Sequence, residues 1–385
     1  MEHTRYEKLE KKLKEAAEQE RKKRKQRKIL TIASSWLLVV VILVVFVAGA
    51  LAIVREVGAK SLRAGVEDGT PTLQDDQAIS SIADIMENQN EVAELEWQED
   101  WIGYNGKIYD YKEDVMTFLV MGVDRDGPIA TEGPYEGGQS DALFLVVADP
   151  KDETVKIVGI NRDTMVDVVM IGAGGIAEGK TTKAQITVQH AYGNSEEESC
   201  QLTKDAVSHL FYDLPIHGYI ALNMGAIAPL NDSVGGVTVT VTEDMTDENK
   251  EWYAGNQVTL QGQEAYAYVR HRDTGEFESA RQRLDRQKAY LTAFINQSVA
   301  ETKKDITTPV TLYQELSKYM VTDISVDEVT YLVNEMQDYQ FESEIYTMQG
   351  TTVEGKKHEE FTPDEEALRE LMLAVFYEEV EVPQD

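Results

Sequence analysis

The chain has 385 residues, 42% of them hydrophobic, and a formal net charge of -32 at pH 7. This is enough apolar chain for two or three domains with at least one substantial core. Its single cysteine, Cys200, excludes an intramolecular disulfide, a cysteine-rich zinc site and a redox pair, and is expected to be a small buried hydrophobe.

Charge is unevenly divided. Met1 to Lys28 carries 12 basic and 6 acidic residues, leaving 25 basic and 63 acidic in the remainder, a net of -38 there. So acidic a body repels nucleic acid. Between the two regimes lies ILTIASSWLLVVVILVVFVAGALAIV, Ile29 to Val54, without a charged residue. At ~1.5 Å per residue it exceeds the ~30 Å hydrocarbon core of a bilayer, which predicts a transmembrane helix over 29–54. Ala48-Gly49-Ala50 resembles a signal cleavage site, but signal apolar regions usually run about 7 to 15 residues. The preceding RKKRKQRK, Arg21 to Lys28, predicts a cytoplasmic segment over 1–28, an anionic-lipid contact for it, and everything after Val54 outside the cell.

Residues 55–114 are expected to form an extracellular stalk ending in a hairpin, because WIGYNGKIYDY places alternating aromatics around Asn105-Gly106. Three short, branched, apolar runs follow: MTFLVMGV (Met116 to Val123), ALFLVVAD (Ala142 to Asp149) and VKIVGI (Val155 to Ile160). They suit strands covered on both faces. Helical patterns at SCQLTKDAVSHLF and MGAIAPLNDSV flank strand-like IHGYIALN, with GGVTVTV after them. The alternation predicts a layered α/β or α/β/α domain over 115–305, and the α/β/α form with a central mixed sheet is the one expected. A long helix is expected from about Phe277 to Lys303. Residues 306–385 are expected to be a helical segment packing on or extending that domain, with Thr362 capping its last helix, Pro363 in the first turn and Glu365 completing a capping box.

The stretch YVRHRDTGEFESARQRLDRQ concentrates Arg270, Arg272, Arg281, Arg283 and Arg286. At ~100° per residue, Arg283 and Gln287 head the apolar stripe of Tyr290 and Phe294; Arg281 points away and Arg286 sits at the stripe's edge. A guanidinium near a core needs an anion or must reach solvent. Asp273, Glu276, Glu278 or Asp285 would make this an internal ion-pair network. Several arginines converging with Arg270 and Arg272 exceed one carboxylate and match phosphate oxygens. Asp124 follows the first strand and Asp141 precedes the second. In antiparallel neighbours these carboxylates share one edge, where they suit Mg²⁺ or Mn²⁺ beside a phosphate, or simply cap loops. Arg162 leaves the third strand, where open α/β sheets commonly contact ligands.

FLVMGVD, QSDALFLVVADP, VKIVGINRDT, QITVQHAYG, PIHGYIALN, SVGGVTVTV, LQGQEAYAYVRHRD and RQRLDRQ, in this order over about Met116 to Ile295, resemble the LytR-CpsA-Psr family. The resemblance implies a membrane-anchored phosphotransferase that moves a glycopolymer, such as a teichoic acid or capsular polysaccharide, from a polyprenyl-pyrophosphate lipid to peptidoglycan. By position, Asp124 and Asp141 would hold Mg²⁺, and Arg162, Arg270, Arg272, Arg283 and Gln287 would surround the pyrophosphate, with Asp124, Asp141 and Arg162 at the chemistry. Two departures stand out. Gln139-Ser140-Asp141 replaces a common Arg-Ser-Asp, and Gln185-Ile186-Thr187 replaces Lys-Ile-Asn. Arg125 is the neighbour that would restore the lost charge. The alternatives are a non-catalytic lipid-pyrophosphate scaffold, a pyrophosphatase side activity with water as acceptor, and a transcriptional regulator, which the expected topology opposes.

Overall fold

Asn105 and Gly106 both take positive φ (49° and 76°), the type I′ geometry that matches strand twist, and join β1 (Ile102–Tyr104) to β2 (Lys107–Tyr111) in the expected hairpin. The computed structural model describes residues 58–63, 69–73, 98, 101–129, 137–171, 177–271, 279–305, 308–336, 338–356 and 358–380. The basic segment 1–28, the apolar span 29–54, most of the expected stalk, and Arg272 with Asp273, Glu276 and Glu278 lie outside the described residues. Among the described residues, no helix is long and apolar enough to cross a membrane.

The three apolar runs form β3 (Met116–Val123), β4 (Ser140–Asp149) and β5 (Thr154–Ile160), successive antiparallel neighbours. β8 (Gly218–Asn223) joins parallel to β3. The pairings complete a six-stranded mixed sheet with β11 (Met320–Thr322) at one edge and β12 (Gln340–Thr347) at the other. The C-terminal segment, expected to be helical, thus supplies both edge strands. Between β5 and β8 lie the antiparallel pair β6 (Met165–Ile171) and β7 (Ala177–Gln185), a 3₁₀ segment Ile186–Tyr192, and α1 (Glu196–Leu210).

Alternation along the strands serves two layers. Leu119, Met121, Leu143, Leu145, Val158 and Ile160 pack with Cys200 and Val207 of α1 and with Leu371 and Met372 of α7 (Glu365–Phe376). Phe144 and Ile157 turn to the opposite face, against Leu284, Leu291 and Ile295 of the long helix α4 (Ser279–Thr302). Phe118 faces Tyr331 of α6 (Val326–Met336). This is the expected α/β/α layering. A fully buried Leu145 contributes about 1.5–3 kcal/mol through apolar burial, and its replacement by Ala costs about 2–5 kcal/mol once the cavity is included.

A smaller core joins β9 (Val237–Thr240) and β10 (Gln257–Leu260) to α2 (Ile227–Ser233), α3 (Gln263–Arg270) and α4, through Val237, Val239, Leu260, Tyr268 and Tyr290. Further elements are α5 (Thr308–Leu316), the hairpin β13 (Gly350–Glu354) with β14 (Glu359–Pro363), and β15 (Tyr377–Glu379) against β2. Asp364, not Thr362, caps α7, accepting the Ala367 N–H at 2.9 Å. Thr362 and Pro363 are held extended by pairing with Thr351 and Gly350, so the helix starts two residues later than expected.

His217, just before β8, accepts the Thr117 N–H on Nδ1 at 3.1 Å. Burial pushes its pKa down from 6.5 to about 4, and nearby Arg63 and Lys204 add to the shift. The unfolded chain takes up a proton near pH 6.5 that the folded ring refuses. Stability is therefore complete above that pH and falls by about 3 kcal/mol as pH drops toward 4. His217→Asn, which has an amide oxygen to accept the same N–H, should flatten the acid limb of a melting-temperature profile. An unchanged slope between pH 6.5 and 4 would refute this role.

Candidate active site at the end of the central sheet

Strand directions bring the end of β3, the start of β4 and the ends of β5 and β8 to one edge. Gly122 pairs with Ala142 but Val123 pairs with Ser140, leaving Asp141 as the extra residue of a bulge. Bulges re-aim side chains at strand ends. Here the carboxylate of Asp141 lies between two arginines from distant parts of the chain. Its Oδ1 accepts from Arg162 Nη1, and its Oδ2 accepts from Arg283 Nη1 at 3.0 Å. Thr187 Oγ1 adds a longer bond to Oδ1 at 3.4 Å. The side chains of Asp141, Arg162 and Arg283 are 15%, 13% and 7% exposed, so the trio is largely withdrawn from water.

Asp124 joins this corner through the loop before β4. Its backbone N–H donates to Gln139 O at 3.0 Å, and its Oδ1 accepts from Gln139 N–H at 2.7 Å. Gln139 also supplies Oε1 to Arg162 Nη2 at 3.1 Å, a role that an arginine, which has no acceptor, could not fill. Gly138 fits where a Cβ would stand 2.6 Å from Val123 Cγ1, so only glycine lets the loop approach β3 this closely. Its carbonyl accepts from the buried His190 Nδ1 at 3.0 Å. Nε2 is then the unprotonated nitrogen, facing Cys200 Sγ at 3.6 Å. Burial lowers the His190 pKa and raises that of Cys200, so both stay neutral at pH 7. Cys200 is the expected buried hydrophobe.

Gln185 donates to Asp163 Oδ1, which itself lies 3.4 Å from Arg162 Nε, and to Glu359 O. Arg125 pairs with Glu196 at the start of α1, so its charge is already balanced there rather than offered in place of the lost arginine. Arg270 is exposed at the rim. It donates to Tyr266 Oη at 2.7 Å and lies over that ring, and Tyr266 in turn donates to Asp126 Oδ1 at 2.7 Å. This links α3 to the loop carrying Asp124.

Along α4, Arg283, Gln287 and Tyr290 are each buried to 6% exposure, as the helical spacing requires. Arg286, expected at the stripe's edge, is more enclosed than Arg283, at 1% exposure. Its acid partner is Glu243, and Asp285, one of the acids considered for it, is exposed. Thus Asp141, Arg162 and Arg283 form one cluster, Asp124 adjoins it through Gln139, and Gln287 is one turn along α4. Arg270 stands at the rim, and Arg272 and the side chain of Arg281 lie outside the described residues. Tyr266 and Asp126 were not anticipated as participants. Gln139 and Thr187 stood out in the sequence only as departures from the family pattern, not as partners of Arg162 and Asp141.

The profile of the LytR_cpsA_psr family matches residues 73–373. The chain belongs to this family. Over 189 residues this family member is 32% identical to the polyisoprenyl-teichoic acid–peptidoglycan teichoic acid transferase TagU of Bacillus subtilis, covering 48% of this chain and 53% of that protein. It is 29% identical over 218 residues to the TagU of Halalkalibacterium halodurans, covering 56% of this chain and 63% of that one. The matched part thus spans between half and two thirds of these relatives. The fold is shared with B. subtilis TagV (TM-score 0.50, 24% identity, 68% of this chain and 95% of that one). It is also shared with TagT bound to LI-WTA (TM-score 0.51, 23% identity, 68% and 89%).

Proposed function

We propose that this protein transfers a glycopolymer from a polyprenyl-pyrophosphate carrier to peptidoglycan at the outer surface of a cell membrane. The observation that carries this reading is that α4 joins two features a lipid pyrophosphate needs. Arg283, near its start, meets Arg162 over Asp141. Val299 and Thr302, near its end, line a cavity of about 950 Å³ with Phe118, Val146, Leu222 and Leu332. Val299 lies sixteen positions after Arg283 along the helix, about 24 Å at ~1.5 Å per residue. An anionic head and a long apolar tail suit that pair of environments. The teichoic acid transferases among the relatives act on such a polyisoprenyl-linked donor by name, which supports a teichoic acid or similar polymer here.

In the proposed reaction, a peptidoglycan hydroxyl oxygen attacks the glycan-side phosphorus. A new P–O bond forms, the bridging P–O bond breaks with its electron pair leaving on polyprenyl phosphate, and the hydroxyl proton passes to solvent. Arg162 and Arg283 hold phosphate oxygens with planar forks, placing the phosphorus and stabilising charge that develops in the transition state. Asp124 and Asp141 fit a hard divalent cation such as Mg²⁺ or Mn²⁺. Asp124 is exposed, with one oxygen engaged by Gln139, and Asp141 has lone pairs beyond those its arginines use. Such an ion, when bound, neutralises phosphate charge.

Purified full-length chain in detergent, given lipid-linked polymer, peptidoglycan and Mg²⁺, should attach polymer to peptidoglycan and release polyprenyl phosphate. Arg162→Lys and Arg283→Lys keep the charge but lose the fork, so each should weaken donor binding about tenfold. Binding without turnover would favour the scaffold reading instead. Absence of binding would refute both.

A further inference from the structure

We propose that Arg286 is a positioning residue that fixes the end of α3 and so aims Arg270 at the ligand. Its side chain is 2% exposed and each arm of the guanidinium is committed. Nε donates to Tyr268 O at 2.7 Å, Nη2 donates to His271 O, and Nη1 pairs with Glu243. The two carbonyls stand on either side of Arg270 in the chain. α3 ends at Arg270, and His271 turns extended with φ -47° and ψ 134°. The carbonyls of a last helical turn lack intrahelical partners, and Arg286 supplies donors to this one.

The anchoring is rigid on both sides. Tyr268 is fully buried, with its ring set edge-on to Trp252 at 5.6 Å. Arg286 belongs to α4, three residues after Arg283, and residues three apart share a helix face. One helix therefore carries an arginine that touches Asp141 and another that grips the segment bearing Arg270. A planar guanidinium with five donors can serve three acceptors arranged around it; a lysine ammonium is a point charge on a flexible stem. Burial lowers the pKa of Arg286, and Glu243 opposes that shift.

This inference rests on the lipid-pyrophosphate reading above, and a double-mutant cycle on the full-length chain tests it. The measured quantity is the Kd for a short-chain prenyl pyrophosphate. Arg286→Lys should weaken binding about tenfold in the unaltered background yet less than about twofold when Arg270 is already Ala, because coupled residues are non-additive. Glu243→Gln leaves both carbonyl bonds in place and should change Kd less than about threefold. A purely structural arginine would lower the melting temperature equally in both backgrounds and leave Kd alone, and that result, or additive losses, overturns the inference while leaving the pyrophosphate reading intact. Failure of the unaltered chain to bind the probe would overturn that reading and this inference together.

Discussion

Asp141→Asn should cut transfer at least about a hundredfold and at the same time lower the stability of the ligand-free protein by about 3 kcal/mol. The second effect follows from charge. In the folded chain Arg162 and Arg283 share the Asp141 carboxylate, and Arg162 has a second anion in Asp163, whose Oδ1 lies 3.4 Å from its Nε. Removing one partner of a buried pair typically costs about 3–5 kcal/mol, and Asp163 keeps Arg162 partly compensated. An amide oxygen still accepts a hydrogen bond, which places the expected loss at the lower end. The first effect follows from losing a carboxylate that the proposed Mg²⁺ would use. A prenyl pyrophosphate brings its own negative charge to the same guanidiniums, so without Mg²⁺ the variant should gain more stability from that ligand than the unaltered protein does. Melting curves with and without ligand, run beside transfer assays, separate these effects. If the variant melts early but transfers normally per folded molecule, Asp141 is only structural.

Val146→Trp should separate long donors from short ones. Val146 lies on the central strand β4 and lines the 950 Å³ cavity with Val120 from the adjacent β3 and Leu222 from β8 beyond it. An indole placed there fills existing space, so stability should change by no more than about 1–3 kcal/mol, the usual range for overpacking. The apolar tail, however, loses room along its path. The apparent KM for a long-chain donor should rise more than about tenfold, since each buried CH₂ is worth about 0.8 kcal/mol and two lost contacts suffice. A donor with a very short prenyl chain should be used almost as before. Val120→Trp, one strand away on the same cavity, should reproduce the pattern. Equal losses for long and short donors would mean that the tail lies elsewhere.

Much of the architecture could be read from residue patterning because β3, β4 and β5 are apolar on both faces. β12 escaped notice for the opposite reason. QFESEIYT carries Glu342 and Glu344, as an edge strand tolerates, and resembles a polar connection in isolation. β11 is three residues long, too short to show a period. At the site, Asp124, Asp141, Arg162 and Arg283 were visible as chemistry-bearing residues at strand ends and on one helical face, and the antiparallel strands and the family resemblance grouped them. The direct contact of Asp141 with both arginines was not legible. Arg283 lies 142 residues from Asp141, and the bulge that turns Asp141 depends on pairing across two strands. Arg286 was misjudged because two of its three partners are backbone carbonyls, which leave no mark in composition or spacing. The cavity was hidden because Phe118, Ile220 and Leu332 read as ordinary core.

In the proposed function, one site takes the charged head and the apolar tail of a single ligand. The most direct measurement compares the stabilisation of the full-length chain by a prenyl pyrophosphate with that by the prenyl alcohol and by inorganic pyrophosphate, each also tested on Arg283→Lys. The prenyl pyrophosphate should stabilise more than the two halves supplied together, because linked groups bind as one. Arg283→Lys should remove most of that gain while leaving the small effect of the alcohol. A shift from the alcohol as large as that from the intact ligand, or an undiminished shift in Arg283→Lys, would contradict the account.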